Sequence, residues 1–273
     1  MTDVLAPFGP EIWIADGPAV TAAGGFHYPT RMAVIRLGDG SLFIWSPTAL
    51  SEALRAAVAA LGEVRHLVPP NALHHVFLGD WQAAWPGARV YAPPGLRQKR
   101  PDIRFDEDLG EKPVAAWAGA IDAVVMRGNL ITTEVVFFHR ASRTVLFTDL
   151  IQHFRPGWFA GWRAVVARLD LMESAAPAVP RKFRLAFTDR RAARAALDVV
   201  LAWPAERLVM AHGEPVTEGA RAVIADAFSW LRASPAPALQ NCPAKVSLKA
   251  RGSAGCKCRS ARPVAGSPGN RDV

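Results

Sequence analysis

Potential metal ligands follow three separate strand-like runs of the sequence, each at the point where the run ends. The first run breaks on two prolines in "PPNALHHVFLGDW" (residues 69–81), the second ends in "VLFTD" and the third in "LVMAHG". Neutral imidazole and carboxylate are good ligands for zinc, and a strand end sets the direction of the side chain that follows it. The predicted metal ligands are His74, His75, Asp149 and His212.

A site built from these residues would hold at most one divalent metal ion, for which zinc, iron and manganese are the candidates. A metal with three protein ligands keeps an open position, where it lowers the pKa of a water molecule to about 7. The matching chemistry is hydrolysis of a small ester, thioester, amide or lactone. Asp149, or Glu134 if its side chain points inward, could act as the general base.

The same residues also have ordinary structural roles. One of the two adjacent histidines could cap backbone groups while the other faces solvent, and a carboxylate after a buried strand could cap the segment that follows it. A histidine before a glycine, as in His212-Gly213, could simply turn the chain. On this interpretation the chain binds no metal.

The elements that must position these residues begin with a β-rich region. "EIWIADG" (residues 11–17) and "RMAVIRL" (residues 31–37) have the composition of strands, and a Gly-Asp-Gly turn leads from the second into "SLFIWS" as a hairpin. Ser51 is placed to cap a helix that runs to Leu61, because apolar residues recur there at helical spacing. A strand over residues 64–68 then leads into the first ligand segment.

The remaining ligands fall on a hairpin and on a last short strand. We predict a short helix over residues 76–85, a strand over residues 88–92, and a hairpin formed by "TEVVFFH" and "RTVLFTD". The pattern after the hairpin is helical, with one helix capped by Thr188 or Asp189. The strand "LVM" delivers the last histidine, and a helix capped by Thr217 ends the folded region.

The order of a His-rich turn, a strand ending in Asp and a strand ending in His-Gly resembles the metallo-β-lactamase superfamily. The resemblance covers roughly residues 11–232 and is best in "VLFTDLI", similar to the strand that carries the bridging Asp, and in "LVMAHGE", similar to the final strand end. With "YPTRM" and "EVVFFHRASRTVLFTDL", the whole pattern looks closest to an uncharacterised branch of unknown function. The resemblance implies an α/β fold, a four-layer αββα sandwich with metals along one sheet edge.

The chain departs from the superfamily where the resemblance calls for H-x-H-x-D-H. With Asn71 in the first position, Leu73, His75 and Val76 occupy the other three. With His75 in the last position, Pro70, Ala72 and His74 occupy the first three, so most of the ligands are missing in either register. The next family histidine, which follows a glycine, has Asn129 as its nearest counterpart. Because an asparagine oxygen is a poor zinc ligand, the chain could also be a metal-free descendant that binds a small molecule or a partner.

Four residues are expected around the ligands in hydrogen-bonding, substrate-binding or supporting roles: Asn71, Asn129, Glu134 and Arg31. An asparagine in place of a histidine is suited to a hydrogen bond. The arginine could bind an anionic substrate, although an ion pair at the sheet edge is its commoner use.

The net charge of +8 is concentrated near the C-terminal end. Residues 241–273 contain seven Lys or Arg and one acidic residue, Asp272, and so carry +6. We therefore predict one domain over residues 1–233 and a disordered basic tail over residues 234–273. All three cysteines lie in this tail, which excludes a disulfide framework and a paired thiolate metal site from the predicted domain.

No apolar run approaches the roughly 18 residues of a membrane span, and the first residues lack the basic-then-apolar order of a signal peptide. We therefore expect a cytoplasmic protein that binds a small-molecule substrate or ligand and has no membrane partner. Nucleic acid could bind only through the basic tail, and we do not expect it there. The sequence carries no signal for an oligomeric state.

Overall fold

The structure, a computed structural model, describes residues 4–232. Within this range, eleven strands form two sheets and seven α-helices accompany them. None of the helices in this range is long and apolar enough to cross a bilayer. The predicted basic tail and its boundary at residue 233 lie outside the described residues.

The first sheet contains seven strands that lie side by side in chain order. The pairs from β1 to β4 are antiparallel, whereas those from β4 to β7 are parallel. The strands are β1 (Ala6–Gly9), β2 (Ile12–Thr21), β3 (His27–Arg36), β4 (Leu42–Trp45), β5 (Val64–Val68), β6 (Arg89–Ala92) and β7 (Glu107–Asp108).

The second sheet has four strands in the order β11-β10-β9-β8. The strand β11 lies parallel to β10, and the other two pairs are antiparallel, so the hairpin predicted around residues 140–142 is confirmed. The strands are β8 (Ile121–Met126), β9 (Glu134–His139), β10 (Thr144–Phe147) and β11 (Arg207–Met210).

The helices are α1 (Glu52–Leu61), α2 (Leu78–Ala84), α3 (Leu96–Lys99), α4 (Trp162–Leu169), α5 (Arg181–Ala186), α6 (Arg190–Ala202) and α7 (Ala220–Ala227). Of these, α1 and α2 pack on the outer face of the first sheet, and α6 and α7 pack on the outer face of the second. The four-layer αββα sandwich that the sequence implied is therefore confirmed.

The strand β4 shows why the two sheets stack. Successive side chains of a strand point to opposite faces, so Phe43 and Trp45 enter the core between the sheets while Leu42 and Ile44 pack against the helices. The strands β3, β9 and β10 repeat this arrangement, with apolar side chains on both faces. Strands that are buried on both sides need such continuous apolar runs.

Two predicted helix caps are confirmed and one is wrong. The Ser51 hydroxyl accepts the N–H of Leu54 at 3.1 Å, and Asp189, the second of the two candidates, caps α6. The helix predicted from Thr217 instead begins at Ala220. The residue before it, Gly219, has a φ of 68°, and this left-handed conformation keeps the preceding residues out of the helix.

The strand β8 and the short helix α5 were not predicted from the sequence. The strand pairs with β9 along its whole length, so its position depends on its partner more than on its own composition. The helix has only six residues and follows Pro180. It nevertheless matters for the site, because it places Lys182 and Phe183 in the wall of the central cavity.

Candidate metal centre

The carboxyl ends of four parallel strands meet at one edge of the sandwich. The pair Phe147 and Met210 closes the ladder between β10 and β11, and Asp149 and His212 each lie two residues beyond it. In the first sheet, β4 and β5 end side by side, and the carbonyl of Pro70 accepts the N–H of Val135 across the gap between the sheets. Side chains from both sheets therefore converge here.

Three of the four predicted ligands lie together at this edge. The Nε2 atom of His74 is 3.3 Å from Oδ2 of Asp149 and 3.3 Å from Nε2 of His212. The Nε2 atom of His212 is 3.4 Å from Oδ1 of Asp149. All three side chains are buried, with less than a tenth of their surface exposed. We call His74, Asp149 and His212 the ligand triad.

The outer nitrogens of both histidines have hydrogen-bond partners that orient the rings. The Nδ1 atom of His212 lies 2.7 Å from the carbonyl oxygen of Pro29, which can only accept, so Nδ1 carries the hydrogen. A neutral ring then turns the lone pair of Nε2 toward the triad. The Nδ1 atom of His74 lies 2.9 Å from the hydroxyl of Ser46. Partners of this kind fix the tautomer of metal-binding histidines.

The side chain of Asn71 is fully buried and ties the triad to the segment that follows β5. Its Nδ2 donates to Oδ2 of Asp149 at 2.6 Å and to the hydroxyl of Thr148 at 2.9 Å. Its Oδ1 accepts the backbone N–H groups of Leu73 and His74 at 2.8 and 3.1 Å. Both polar atoms of Asn71 are thereby used in hydrogen bonds.

The carboxylate of Glu134 lies behind the triad and outside the wall of the cavity. It accepts the backbone N–H groups of Thr148, Asp149 and Leu150 at 2.5, 3.0 and 3.0 Å. Burial, and next the charge of Asp149, raise the pKa of Glu134 to about 7, although the backbone hydrogen bonds act in the opposite sense. The side chain holds the turn that presents Asp149, and the general base predicted for this position stays a prediction.

The protonation states expected in the triad suit a metal ligand set. Burial lowers the pKa of His74, which favours the neutral imidazole that a metal requires. Burial alone would raise the pKa of Asp149, but its contacts with His74 and His212 outweigh this effect and hold the pKa well below its usual range. The triad thus contains one carboxylate beside neutral imidazole.

The other predicted site residues lie away from the triad. The Nδ1 atom of His75 accepts from the guanidinium of Arg100 at 2.9 Å. The side chain of Asn129 accepts the N–H of Ile131 at 3.0 Å and donates to the carbonyl of Phe183 at 2.8 Å. It therefore connects its own loop to α5.

The guanidinium of Arg31 supports the segment that carries His212. It pairs with Asp16 at 2.7 Å and donates to the carbonyl of Met210 at 2.9 Å and to that of Gly213. Arg31 therefore forms hydrogen bonds with the backbone on both sides of His212. Its side chain does not line the central cavity.

The glycine after His212 is required by a close approach of two segments. A Cβ atom on Gly213 would lie 2.7 Å from the carbonyl oxygen and 2.9 Å from the nitrogen of His153. These two residues form a parallel bridge, and the N–H of His153 donates to the carbonyl of His212 at 2.9 Å. A side chain at position 213 would separate these segments and displace His212.

The triad opens onto a cavity of about 290 Å³. Its walls are mainly apolar, with contributions from Val20, Leu73, Val76, Phe77, Ile131 and Phe183. Six further polar residues line it: Thr21, Tyr28, Thr30, Ser46, Gln152 and Lys182. The ammonium of Lys182 lies 2.8 Å from Oδ2 of Asp170. The amide of Gln152 is buried and has no hydrogen-bond partner among the described residues.

The sequence contained a usable signal for one of these additional residues. Ser46 directly follows β4, which is parallel to β5 and ends at the same edge, so its hydroxyl could have been placed near the ligands. The roles of Tyr28 and Lys182 have no comparable signal. Each belongs to a segment whose position is set by packing between distant parts of the chain.

The triad fits a divalent metal ion. For metal bonds of about 2.0 to 2.1 Å, the ligand atoms of a tetrahedral site are about 3.3 to 3.4 Å apart. The three separations within the triad, 3.3, 3.3 and 3.4 Å, agree with these values. Two imidazoles and one carboxylate suit zinc, iron or manganese. All three residues line the cavity, which leaves a fourth position on the cavity side.

Comparison with known proteins relates the chain to one family. Residues 11–159 match the family described as "Domain of unknown function (DUF4336)". This match covers more than half of the 273 residues and includes His74 and Asp149. None of the curated proteins matches the chain.

Solved structures of metallo-β-lactamases and of a flavodiiron core are similar to the chain. The metal-soaked flavodiiron core of Flv1 from Synechocystis sp. PCC6803 is 12% identical, with a TM-score of 0.57 over 83% of this chain and 60% of that one. The metallo-β-lactamase from Pontibacter korlensis is 13% identical, with a TM-score of 0.55 over 83% of this chain and 97% of that one.

The mono-zinc form of FIM-1 from Pseudomonas aeruginosa is 14% identical, with a TM-score of 0.54 over 83% of this chain and 94% of that one. At these identities the likeness concerns the fold.

Proposed function

The chain belongs to the family described as domain of unknown function (DUF4336), and we propose that it is a metal-dependent hydrolase with a single divalent ion. In this proposal the ligand triad holds the ion. The substrate is a small ester, thioester, amide or lactone that enters the apolar cavity. The observation that carries the proposal is the set of three separations of 3.3 to 3.4 Å between buried ligand atoms from distant parts of the chain.

When bound, the ion would acidify a water molecule and polarise the carbonyl of the substrate. The residues of the chain supply the rest. Ser46 and the carbonyl of Pro29 orient the two imidazoles, and Asn71 orients the carboxylate. A triad oriented in this way loses little entropy when it takes up the metal.

The cavity would bind the substrate and keep bulk water away from it. Its apolar wall would hold an aliphatic or aromatic group of the substrate, since its area is largely carbon and its volume, about 290 Å³, suits a small molecule. The phenol of Tyr28 and the ammonium of Lys182 reach the same cavity and can donate hydrogen bonds to a substrate oxygen. Asp149 could also take up a proton during the reaction, as predicted from the sequence.

A solved neighbour of the fold gives independent support for a single ion. FIM-1 was crystallised in a mono-zinc form, so the fold can hold one zinc ion. The expected cytoplasmic location of the present chain stays a prediction.

The first experiment is elemental analysis of the full-length protein purified without chelators. We expect about one zinc, iron or manganese ion per chain, and loss of that ion in the His74→Gln and Asp149→Asn variants. His75→Gln is the matched control, because His75 is adjacent in sequence but contacts Arg100 instead of the triad. Equal metal content in His74→Gln and His75→Gln would refute the proposal.

The second experiment measures hydrolysis of chromogenic esters, thioesters, lactones and amides with small apolar groups. The metal-loaded protein should hydrolyse at least one class, and the His74→Gln and Asp149→Asn variants should not. Absence of any metal, even after soaking in zinc, iron and manganese salts, would point to the second candidate.

The second candidate is a metal-free protein that binds a small molecule in the same cavity. One observation favours it. The triad and Asn71 already satisfy one another through hydrogen bonds, so these buried groups do not require an ion. Binding of a small apolar ligand by the metal-free protein, with no turnover, would support this candidate.

A further inference from the structure

The helix α4 turns its large apolar side chains toward solvent. Trp162, Val165, Val166 and Leu169 follow the i, i+3, i+4, i+7 spacing of one helix face, and all four are exposed, Trp162 at 56% and Leu169 at 61%. The buried side of the helix carries the small residue Ala167. An ordinary surface helix has the reverse arrangement. We call these four residues the α4 stripe.

The α4 stripe is joined by direct contacts to the mouth of the cavity. At one end, the ring of Trp162 lies 5.6 Å from that of Phe26, and Phe26 accepts through its carbonyl the N–H of Ala22, which lines the cavity. At the other end, the guanidinium of Arg181 in α5 donates to the carbonyl of Leu169 at 2.7 Å.

The far end of α5 continues the exposed apolar surface. Its Leu185 is 80% exposed, and the carbonyl of the next residue, Ala186, accepts the N–H of Leu130. Leu130 is also exposed, and its neighbour Ile131 lines the cavity. Of the eleven large apolar side chains exposed within residues 4–232, nine lie on this surface or at the mouth: Leu73, Val76, Leu130, Ile131, Trp162, Val165, Val166, Leu169 and Leu185.

The same region carries the positive charge of the described range. Residues 4–232 contain 25 Lys or Arg against 22 Asp or Glu, a net charge of +3. Residues 155–186 contain six against two, a net charge of +4. Within α4, Arg163 and Arg168 lie next to the stripe, and the side chain of Arg168 is 68% exposed. Exposed apolar groups flanked by arginines match the chemistry of an anionic lipid surface.

We propose that the α4 stripe, with Leu185 and Leu130, docks this protein on the surface of a bilayer that contains anionic lipids. The apolar side chains enter the boundary between headgroups and acyl chains, and the arginines contact lipid phosphates. We expected no membrane partner from the sequence, because no apolar run could span a bilayer. Surface docking needs no such run, and the anionic leaflet that faces the cytoplasm provides the required charge.

The test is sedimentation of the full-length protein with lipid vesicles. Vesicles of phosphatidylcholine alone are compared with vesicles that contain phosphatidylglycerol, at low and at high salt. We expect the wild type to prefer the anionic vesicles and to retain part of its binding at high salt. The double variant Trp162→Ser/Leu169→Ser should bind about tenfold or more weakly, because two side chains lose their insertion into lipid.

Two variants serve as controls. Val199→Ser removes a comparably exposed apolar side chain from α6, and its vesicle binding should equal that of the wild type. His74→Gln should also bind like the wild type, so a failure of the proposed hydrolase activity leaves the docking proposal intact. Arg163→Gln/Arg168→Gln should reduce the preference for anionic vesicles, while the charge of +6 on residues 241–273 keeps part of it.

Three results would overturn the proposal. If the Trp162→Ser/Leu169→Ser variant binds like the wild type, the basic segment at residues 241–273 accounts for the binding by charge alone. If the wild type binds no vesicles, the α4 stripe does not recognise lipid. If the wild type forms a dimer that this double variant converts to a monomer, and vesicles do not compete, the stripe belongs to an interface between two copies of the chain.

Discussion

The Nδ2 atom of Asn71 donates to Oδ2 of Asp149 over 2.6 Å, and Oδ1 of the same side chain accepts the N–H of His74 over 3.1 Å. One buried amide therefore holds two members of the triad in a common position, although these residues follow strands of different sheets. Asn71 contributes no atom to the group of three ligands. Its effect on the site comes from orientation.

Removal of this amide should weaken metal binding. In Asn71→Ala, the Asp149 carboxylate loses a hydrogen-bond donor. The backbone N–H groups of Leu73 and His74 lose the side-chain oxygen that accepts them. Loss of a partner that orients a ligand typically costs about 10- to 100-fold in metal affinity. We expect a change of this size for zinc, measured by competition with a chromogenic chelator.

The matched control for this prediction is Asn129→Ala. Asn129 also accepts two backbone N–H groups with Oδ1 and donates with Nδ2, but it does so away from the triad. Both variants should be destabilised to a similar extent, while only Asn71→Ala should lose metal affinity. Equal metal affinities in the two variants would contradict the orienting role of Asn71.

Replacement of Glu134 by Gln should destabilise the protein. The carboxylate accepts three backbone N–H groups, and in Glu134→Gln the new NH₂ group would face at least one of these donors. A buried donor without an acceptor costs about 1 to 3 kcal/mol. Urea unfolding at pH 4.5, below the pKa of about 7, should show this loss, because at higher pH the ionised form of the buried carboxyl itself lowers the stability of the wild type. An unchanged unfolding midpoint would show that the three hydrogen bonds contribute nothing.

Two buried histidines should make the stability fall in mild acid. Burial lowers the pKa of His66 to about 4 and that of His139 to about 4. In the unfolded chain their pKa is about 6.5, so between these values the unfolded state binds more protons than the folded state. The contribution of the two neutral histidines to the free energy of unfolding is complete above pH 6.5 and is lost as the pH falls toward 4.

The measurement is the free energy of unfolding in urea at several pH values from 7 to 4.5. The double variant His66→Gln/His139→Gln should show a smaller decrease than the wild type over this range, because it has lost these two groups. An identical pH dependence in both proteins would mean that the two histidines are already protonated in the folded state.

Replacement of Gln152 by Met should raise the stability of the ligand-free protein. The amide of Gln152 is buried without a partner among residues 4–232, and Met has a similar length without the polar atoms. We expect a gain of about 1 kcal/mol in the free energy of unfolding. Gln82→Met is the control, since Gln82 is bonded to the carbonyl of Arg104 and should gain nothing. A loss of stability in Gln152→Met would show that the amide is satisfied in solution.

The sequence predicted the edge of the sandwich that carries the site. Apolar runs with β-branched and aromatic residues identified β5, β9, β10 and β11, and parallel strands that end together bring their next residues together. Asp149 and His212 were predicted as ligands because each follows such a run, and the resemblance implied that the ligands lie along one sheet edge. The strand β8 was missed, because its place is decided by its pairing with β9.

The segment after β5 has no regular periodicity, so the sequence did not predict the directions of its side chains. The structure turns His74 into the triad and His75 toward Arg100. Likewise, alternation along β9 left the direction of Glu134 open, and only the folded chain shows that it accepts three N–H groups from the Asp149 turn.

By itself, the sequence determined the candidate ligand residues and the strands that present them, because these depend on local composition and periodicity, and the resemblance of its motifs to a known superfamily implied the four-layer fold. Only the tertiary structure decided which of two adjacent histidines reaches the triad, what Asn71 and Arg31 bind, and that α4 faces outward. Those features depend on partners far apart in the chain, such as His74 and His212, which are 138 positions apart. No local pattern carries such information, since burial and hydrogen bonding are settled only when both segments pack together.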